Sequence, residues 1–129
     1  MRKGFTLLEL VIVIIIVAVL AGLGIPQFMK TVERAKSAEG VATLGTLRSS
    51  QLRYYAEWNT YTSTIANLDV AAPASLKNFA APTATNPGAA GSVVNIVRTG
   101  SSPYTIYISD TGNLTCTPAA NCPAGITAF

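Results

Sequence analysis

The sequence predicts an α+β fold: a long, kinked N-terminal helix packed on a small antiparallel β-sheet. Three observations carry that expectation. No residue from Leu10 to Met29 is charged, and helix-like sequence continues to Trp58. After Tyr61 the composition turns to Ala, Ser, Thr, Asn and Pro. Near the C-terminus, segments 92–98, 104–109 and 113–117 collect β-favouring residues between turn signals. The 129 residues are one domain's worth of chain.

Charge is scarce. Charged residues make up 12% of the chain, against about 25% in an ordinary soluble domain. Half of the chain is apolar, which excludes a disordered, solvated polymer. From residue 62 onward only Asp69, Lys77, Arg98 and Asp110 are charged. There is no histidine, so imidazole chemistry is excluded. The net charge of +3 is weak support for a polyanionic partner, and no specific nucleic acid is inferred.

The first element is the apolar run Leu10–Met29. About 20 helical residues reach across the hydrocarbon core of a bilayer, so the run is a candidate membrane span. An ordinary cleaved secretory signal ending at Val19-Leu20-Ala21 is the alternative. It fits poorly with Glu9 inside the apolar stretch and with helix-like sequence that continues past Pro26. Gly22, Gly24 and Pro26 predict a kink or local melting over residues 22–26.

Residues 27–58 form the second part of the helix. At about 100° per residue, Val41, Leu44, Leu47, Leu52, Tyr54, Tyr55 and Trp58 fall within roughly 80° of Leu44, and Arg48 and Gln51 intrude on that stripe. Glu39, Arg53 and Glu57 point away. Phe28, Val32 and Ala35 lie on nearly the opposite face, so the two ends of the helix are expected to serve different partners. Gly40 and Gly45 weaken its continuity.

The remaining elements are short. Residues 62–91 read mostly as ordered loop, with turn signals at Pro73, Pro82 and Asn86-Pro87-Gly88 and a short strand near Phe79. Ser92–Arg98 is a strand, and Tyr104, Ile106 and Ile108 alternate along the next one. Asp110-Thr111-Gly112 is a tight hairpin turn leading into Asn113–Thr117. The tail from Pro118 has little pattern. Cys116 and Cys122 are spaced wrongly for a CxxC redox or zinc motif. A small disulfide-closed loop in an oxidising compartment is preferred over two free, partly buried thiols.

The sequence Arg2-Lys3-Gly4-Phe5-Thr6-Leu7-Leu8-Glu9, the unbroken apolar run and Pro26 together resemble the N-terminal signal of type IV pilins and pseudopilins. The resemblance implies a pilin-like lollipop with three parts: a leader over 1–4, a transmembrane and filament-core helix over 5–29, and a globular head over 30–129. It implies cleavage by a prepilin peptidase between Gly4 and Phe5 and N-methylation of Phe5. It implies an assembly role for Glu9, whose carboxylate would offset the new amine of Phe5 in its own or a neighbouring chain. Such a pair fixes register more than it adds net stability. A favourable position near a helix N-terminus is the plainer reading of Glu9.

The expected partners are further copies of the chain in a helical filament, the peptidase and methyltransferase, an inner-membrane assembly platform and the membrane itself. The expected locations are the inner membrane for the precursor and stored subunit, and an extracellular pilus or periplasmic pseudopilus once assembled. No catalytic residue, metal site or cofactor is expected, and the chain is not expected to be an enzyme. A type II secretion or DNA-uptake pseudopilin is the alternative, and a membrane-anchored binding protein or enzyme with an uncleaved anchor is the alternative of another class. Lys30, Glu33, Arg34, Lys36 and Glu39 are read either as bridges between subunits or as a solvated face. Tyr54, Tyr55 and Trp58 are read as core packing.

Overall fold

A computed structural model of the chain describes residues 4–74, 76–87 and 91–128. Arg2 and Lys3 of the expected leader, and Gly88 of the expected turn, lie outside the described residues. The chain divides into two compact units, one ending at Glu33 and the other beginning at Arg34. A single helix, α1 (Leu7–Trp58), contributes to both.

α1 passes through Gly22, Gly24 and Pro26 without interruption, so the local melting expected there is absent. The physical reason is local. Pro26 withholds one N–H, and its ring opposes the carbonyl of Gly22, four residues earlier. One lost bond does not end a helix whose neighbouring residues are all bonded, and apolar spanning helices tolerate proline for this reason.

The second unit holds a five-stranded sheet in the order β1 (Thr83–Ala84), β2 (Ser92–Val97), β3 (Thr105–Ser109), β4 (Leu114–Thr117), β5 (Thr127–Ala128). β1 to β4 are antiparallel, as expected. β5 is a correction: it pairs parallel with β4, Thr127 opposite Thr115. Two residues of tail carry too little pattern to read from sequence, and the disulfide between Cys116 and Cys122 ties the tail to β4 just upstream (S–S 2.08 Å). The strand expected near Phe79 is a single bridge to Arg98. The hairpin at Asp110-Thr111-Gly112 forms, with Gly112 at φ 93° and its N–H bonded to the Ser109 carbonyl at 3.0 Å.

The alternation in β3 gives the core. Tyr104, Ile106 and Ile108 are buried, facing Leu44 and Leu47 of the helix together with Phe79, Val94, Ile96 and Cys116. Each such side chain contributes about 1.5–3 kcal/mol on leaving water. Gly40 is part of this packing: a Cβ there would lie 2.9 Å from Cζ of Phe79. The glycine that weakens the helix in sequence terms is what lets the ring lie against it.

The polar residues that interrupt the helix stripe hold the connecting loops. Gln51 is fully buried. Its Nε2 donates to the carbonyls of Thr62 (2.7 Å) and Val93 (3.1 Å), and its Oε1 accepts from the Thr62 N–H (3.1 Å). Arg48 donates through Nε (2.9 Å) and Nη2 (2.6 Å) to the Asp110 carbonyl at the hairpin turn. Glu39, expected to point away, accepts from the Lys77 N–H (3.0 Å) and from Asn78 Nδ2 (2.8 Å). Arg53 grips Asp69 through two bonds of 2.5 and 2.8 Å, and Ser50 also donates to Asp69. Chiefly because of the Arg53 bonds, the Asp69 carboxyl is lowered to about 2.

Tyr55 and Trp58 do not lie in the core. They are 40% and 63% exposed, because the core stripe follows Gly40, Leu44, Leu47 and Gln51 and leaves the last turn of α1 beyond the sheet-facing side.

Candidate functional site

The residues singled out in the sequence lie at the start of α1. Gly4, Phe5 and Thr6 precede the helix and are exposed. The Gly4–Phe5 peptide bond therefore lies in non-helical backbone. Among the described residues, apart from Gly4 and its chain neighbours, no atom comes within 4 Å of where a Cβ on Gly4 would sit.

The helix begins with a cap that the sequence reading passed over. Thr6 Oγ1 accepts from the Glu9 N–H at 3.2 Å, and the Thr6 carbonyl accepts from the Leu10 N–H at 3.3 Å. Thr6-x-x-Glu9 is the capping-box pattern, threonine at the cap and glutamate three residues on. That spacing alone could have placed the helix start. It also puts Glu9 in the first turn, where a carboxylate is favoured by the unpaired N–H groups. Phe5 lies outside the helix, which begins at Leu7. The capping bond uses the Glu9 backbone N–H and leaves its carboxylate uncommitted to the cap.

Beyond the cap, every large apolar side chain from Phe5 to Met29 is exposed, from 36% at Val11 to 81% at Leu7. The segment is long and apolar enough to cross a membrane, and none of it is buried within the chain. Covering these side chains is worth about 1.5–3 kcal/mol each. Summed along the segment, that exceeds the net stability of a typical domain, about 5–15 kcal/mol. Gly22 and Gly24 have no atom of another element within 4 Å of their Cβ positions, so backbone is open to close approach there.

Residues 1–25 match the prokaryotic N-terminal methylation motif. Proteins similar to the chain beyond this motif include type IV major pilins and a type II secretion system core protein. The similarity extends past the motif into part of each of these proteins. The chain is 38% identical over 60 residues to a type IV major pilin of Myxococcus xanthus, covering 46% of this chain and 27% of that protein. It is 40% identical over 63 residues to the type II secretion system core protein G of Pectobacterium carotovorum, covering 49% and 40%. It is 33% identical over 75 residues to a type IV major pilin of Neisseria gonorrhoeae, covering 58% and 46%. The chain thus spans less than half the length of each of these relatives. No solved structure matches.

The other predicted site residues belong to the second unit. Cys116 and Cys122 are bonded and close the exposed turn Pro118–Ala120. Of the charged residues after the apolar run, Glu39 is engaged with the loop at Lys77 and Asn78.

Proposed function

We propose that the chain is the precursor of a structural subunit of an extracellular type IV pilus-like filament. The single observation that carries this reading is the pilin-type N-terminus leading directly into an apolar helix that nothing in the chain covers. In the stored subunit, lipid covers that helix. In the filament, copies of itself do. The exposed, non-helical Gly4–Phe5 bond suits attack by a prepilin peptidase, since a protease needs backbone free of helical hydrogen bonds. Cleavage leaves a charged amine at Phe5. Methylation of that amine keeps its charge.

The Glu9 carboxylate then offsets the amine of its own chain or a neighbour's. An unpaired charge at apolar depth is costly, so a wrongly docked subunit is penalised. Glu9→Val is expected to be inserted and cleaved normally but to yield at least about tenfold fewer filaments, the effect of roughly 1.4 kcal/mol per added subunit. Terminal mass analysis of the cell-associated chain and electron microscopy of sheared filaments measure the two steps. Wild-type filament yield from Glu9→Val refutes the register role. A chain that begins at Met1 or Gly22 refutes the processing.

A second reading has its own support in the matches to secretion core protein G. On it the chain forms a short periplasmic pseudopilus. Deletion decides: loss of surface filaments favours the pilin, and a secretion defect with no surface filaments favours the pseudopilin.

A further inference from the structure

We propose that the C-terminal end of α1 carries a binding site for a neutral oligosaccharide, built from Trp58, Tyr54, Glu57, Asn67 and the Arg53–Asp69 pair. The first observation is the placement of the only tryptophan in the chain. It is 63% exposed, although tryptophan is on average among the more buried side chains. It is also held in place. Trp58 is the last residue of α1, and Asn59 stops the helix with φ 52° and an N–H bond of 2.8 Å to the Tyr55 carbonyl. The Trp58 ring stacks on Tyr54, with centroids 6.2 Å apart and planes at 29°. An aromatic face is thus presented to solvent and fixed before any ligand arrives.

The second observation is the recess beside it. Its volume is about 70 Å³, and its walls are Ser50, Arg53, Tyr54, Glu57, Asn67 and Asp69. Tyr54 belongs to both features, so aromatic platform and polar recess adjoin. Carbohydrate asks for this pairing. A sugar ring has a C–H face that stacks on an aromatic ring, and hydroxyls in its plane that need donors and acceptors at its edge. Glu57 and Asp69 accept, Arg53 donates, and the Asn67 amide does both. The recess has room for about two waters, enough for a hydroxymethyl group or a pair of hydroxyls. The ring itself therefore stays outside, over Trp58.

Charge selects the class. Arg53 is matched by Asp69 at 2.5 Å, which leaves Glu57 as the net charge of the site. An acidic sugar is repelled, and a neutral one is not. The same groups argue against a second copy of the chain as the occupant. An apolar contact closing over the patch would take Glu57 and the Arg53–Asp69 pair out of water without new partners.

All of these residues belong to the unit that begins at Arg34, so the site does not depend on the filament reading. Because Trp58 is unique, its fluorescence reports the site directly. Full-length protein in dodecylphosphocholine, which carries no sugar, is titrated to millimolar concentration with hexasaccharides of β-1,4-linked glucose and of β-1,4-linked N-acetylglucosamine. A saturable shift in emission with at least one of them is expected. Glu57→Ala and Asn67→Ala should each weaken binding about tenfold, the loss of one well-made hydrogen bond. By calorimetry, Trp58→Phe should retain binding and Trp58→Ala should lose it. These positions are exposed, so circular dichroism should match wild type in every variant. No saturable response to either sugar overturns the proposal, as does a response to acidic sugars only. Emission that changes on dilution of the protein and not with sugar assigns the patch to contact between copies and overturns it as well.

Discussion

Between Leu7 and Met29, α1 is built of aliphatic and β-branched side chains, and all of the large ones are exposed. Between Ser37 and Gln51 the same helix buries Ser37, Gly40, Leu44, Leu47, Ser50 and Gln51. The backbone conformation is common to both stretches, but what sustains it differs. Valine and isoleucine are mediocre helix formers, and in the first stretch packing within the chain adds nothing. Helix is stable there only in surroundings without water, where the backbone must bond to itself. In the second stretch the helix is sustained by what it packs against: Phe79 and the buried face of β2 to β4. One region is a folding unit complete in itself. The other is a surface awaiting a cover.

The sharpest test of this contrast is a pair of truncations. Phe79→Ala should destabilise the second unit by about 3–5 kcal/mol, as large-to-small changes at fully buried aromatics do. Leu23→Ala, 74% exposed before truncation, should move the same unfolding transition by less than about 0.5 kcal/mol. Denaturant unfolding of the full chain in detergent, followed by amide exchange in the sheet, measures both. A comparable loss from Leu23→Ala breaks the distinction.

Reducing the Cys116–Cys122 bond tests how the tail is held. A loop this short gives at most about 2–3 kcal/mol. The loss should appear first as faster amide exchange in β5, because that strand is joined to the sheet only through β4.

The glycines of α1 give a smaller contrast of opposite sign. At Gly40 an added methyl meets the Phe79 ring at 2.9 Å. Overpacking of this kind costs about 1–3 kcal/mol, and up to about 1 kcal/mol returns through helix propensity. Gly40→Ala should therefore be destabilising by roughly 1–2 kcal/mol. Gly45 has open space at its Cβ position, so Gly45→Ala should stabilise by up to about 1 kcal/mol. Shifts of the unfolding midpoint in the same direction for both would remove the packing explanation.

The smallest effect concerns pH. Asp69 titrates at about 2 in the folded chain, below its ordinary value of 3.8, and the Glu39 carboxyl is lowered too, first by its bond from Asn78. A depressed carboxyl adds stability that is present above its unfolded value and is lost as pH falls toward its folded one. Stability should therefore decline from about pH 5 toward pH 2. Asp69→Asn should flatten part of that slope and lower neutral-pH stability by the same small amount, since the Arg53–Asp69 pair is more than half exposed and such pairs are worth little. An unchanged acid slope in Asp69→Asn would show that other carboxylates carry it.

Much of this was legible in the chain itself. The apolar run, its neighbouring motif, the end of the helix at Trp58, three of the strands and the tight turn at Asp110-Thr111-Gly112 all follow from local pattern, because each depends on residues close in sequence. The Thr6-x-x-Glu9 cap was equally local and was overlooked beside the stronger motif. β5 was not legible, since a two-residue parallel strand owes its existence to the neighbour it meets. Nor were the roles of Gln51, Arg48 and Glu39. Each is polar on a helix, and whether such a residue faces water or a distant loop depends on where that loop returns.

The sequence by itself thus determined the long helix, three of the strands, the uncovered apolar stretch and the motif beside it, since periodicity and composition act over a few turns of chain. Tertiary structure alone decided that Gly40 makes room for Phe79, that Gln51 is buried against Thr62 and Val93, and that Trp58 stays outside the core. Those outcomes depend on contacts between residues far apart in the chain, whose geometry exists only once helix and sheet have met.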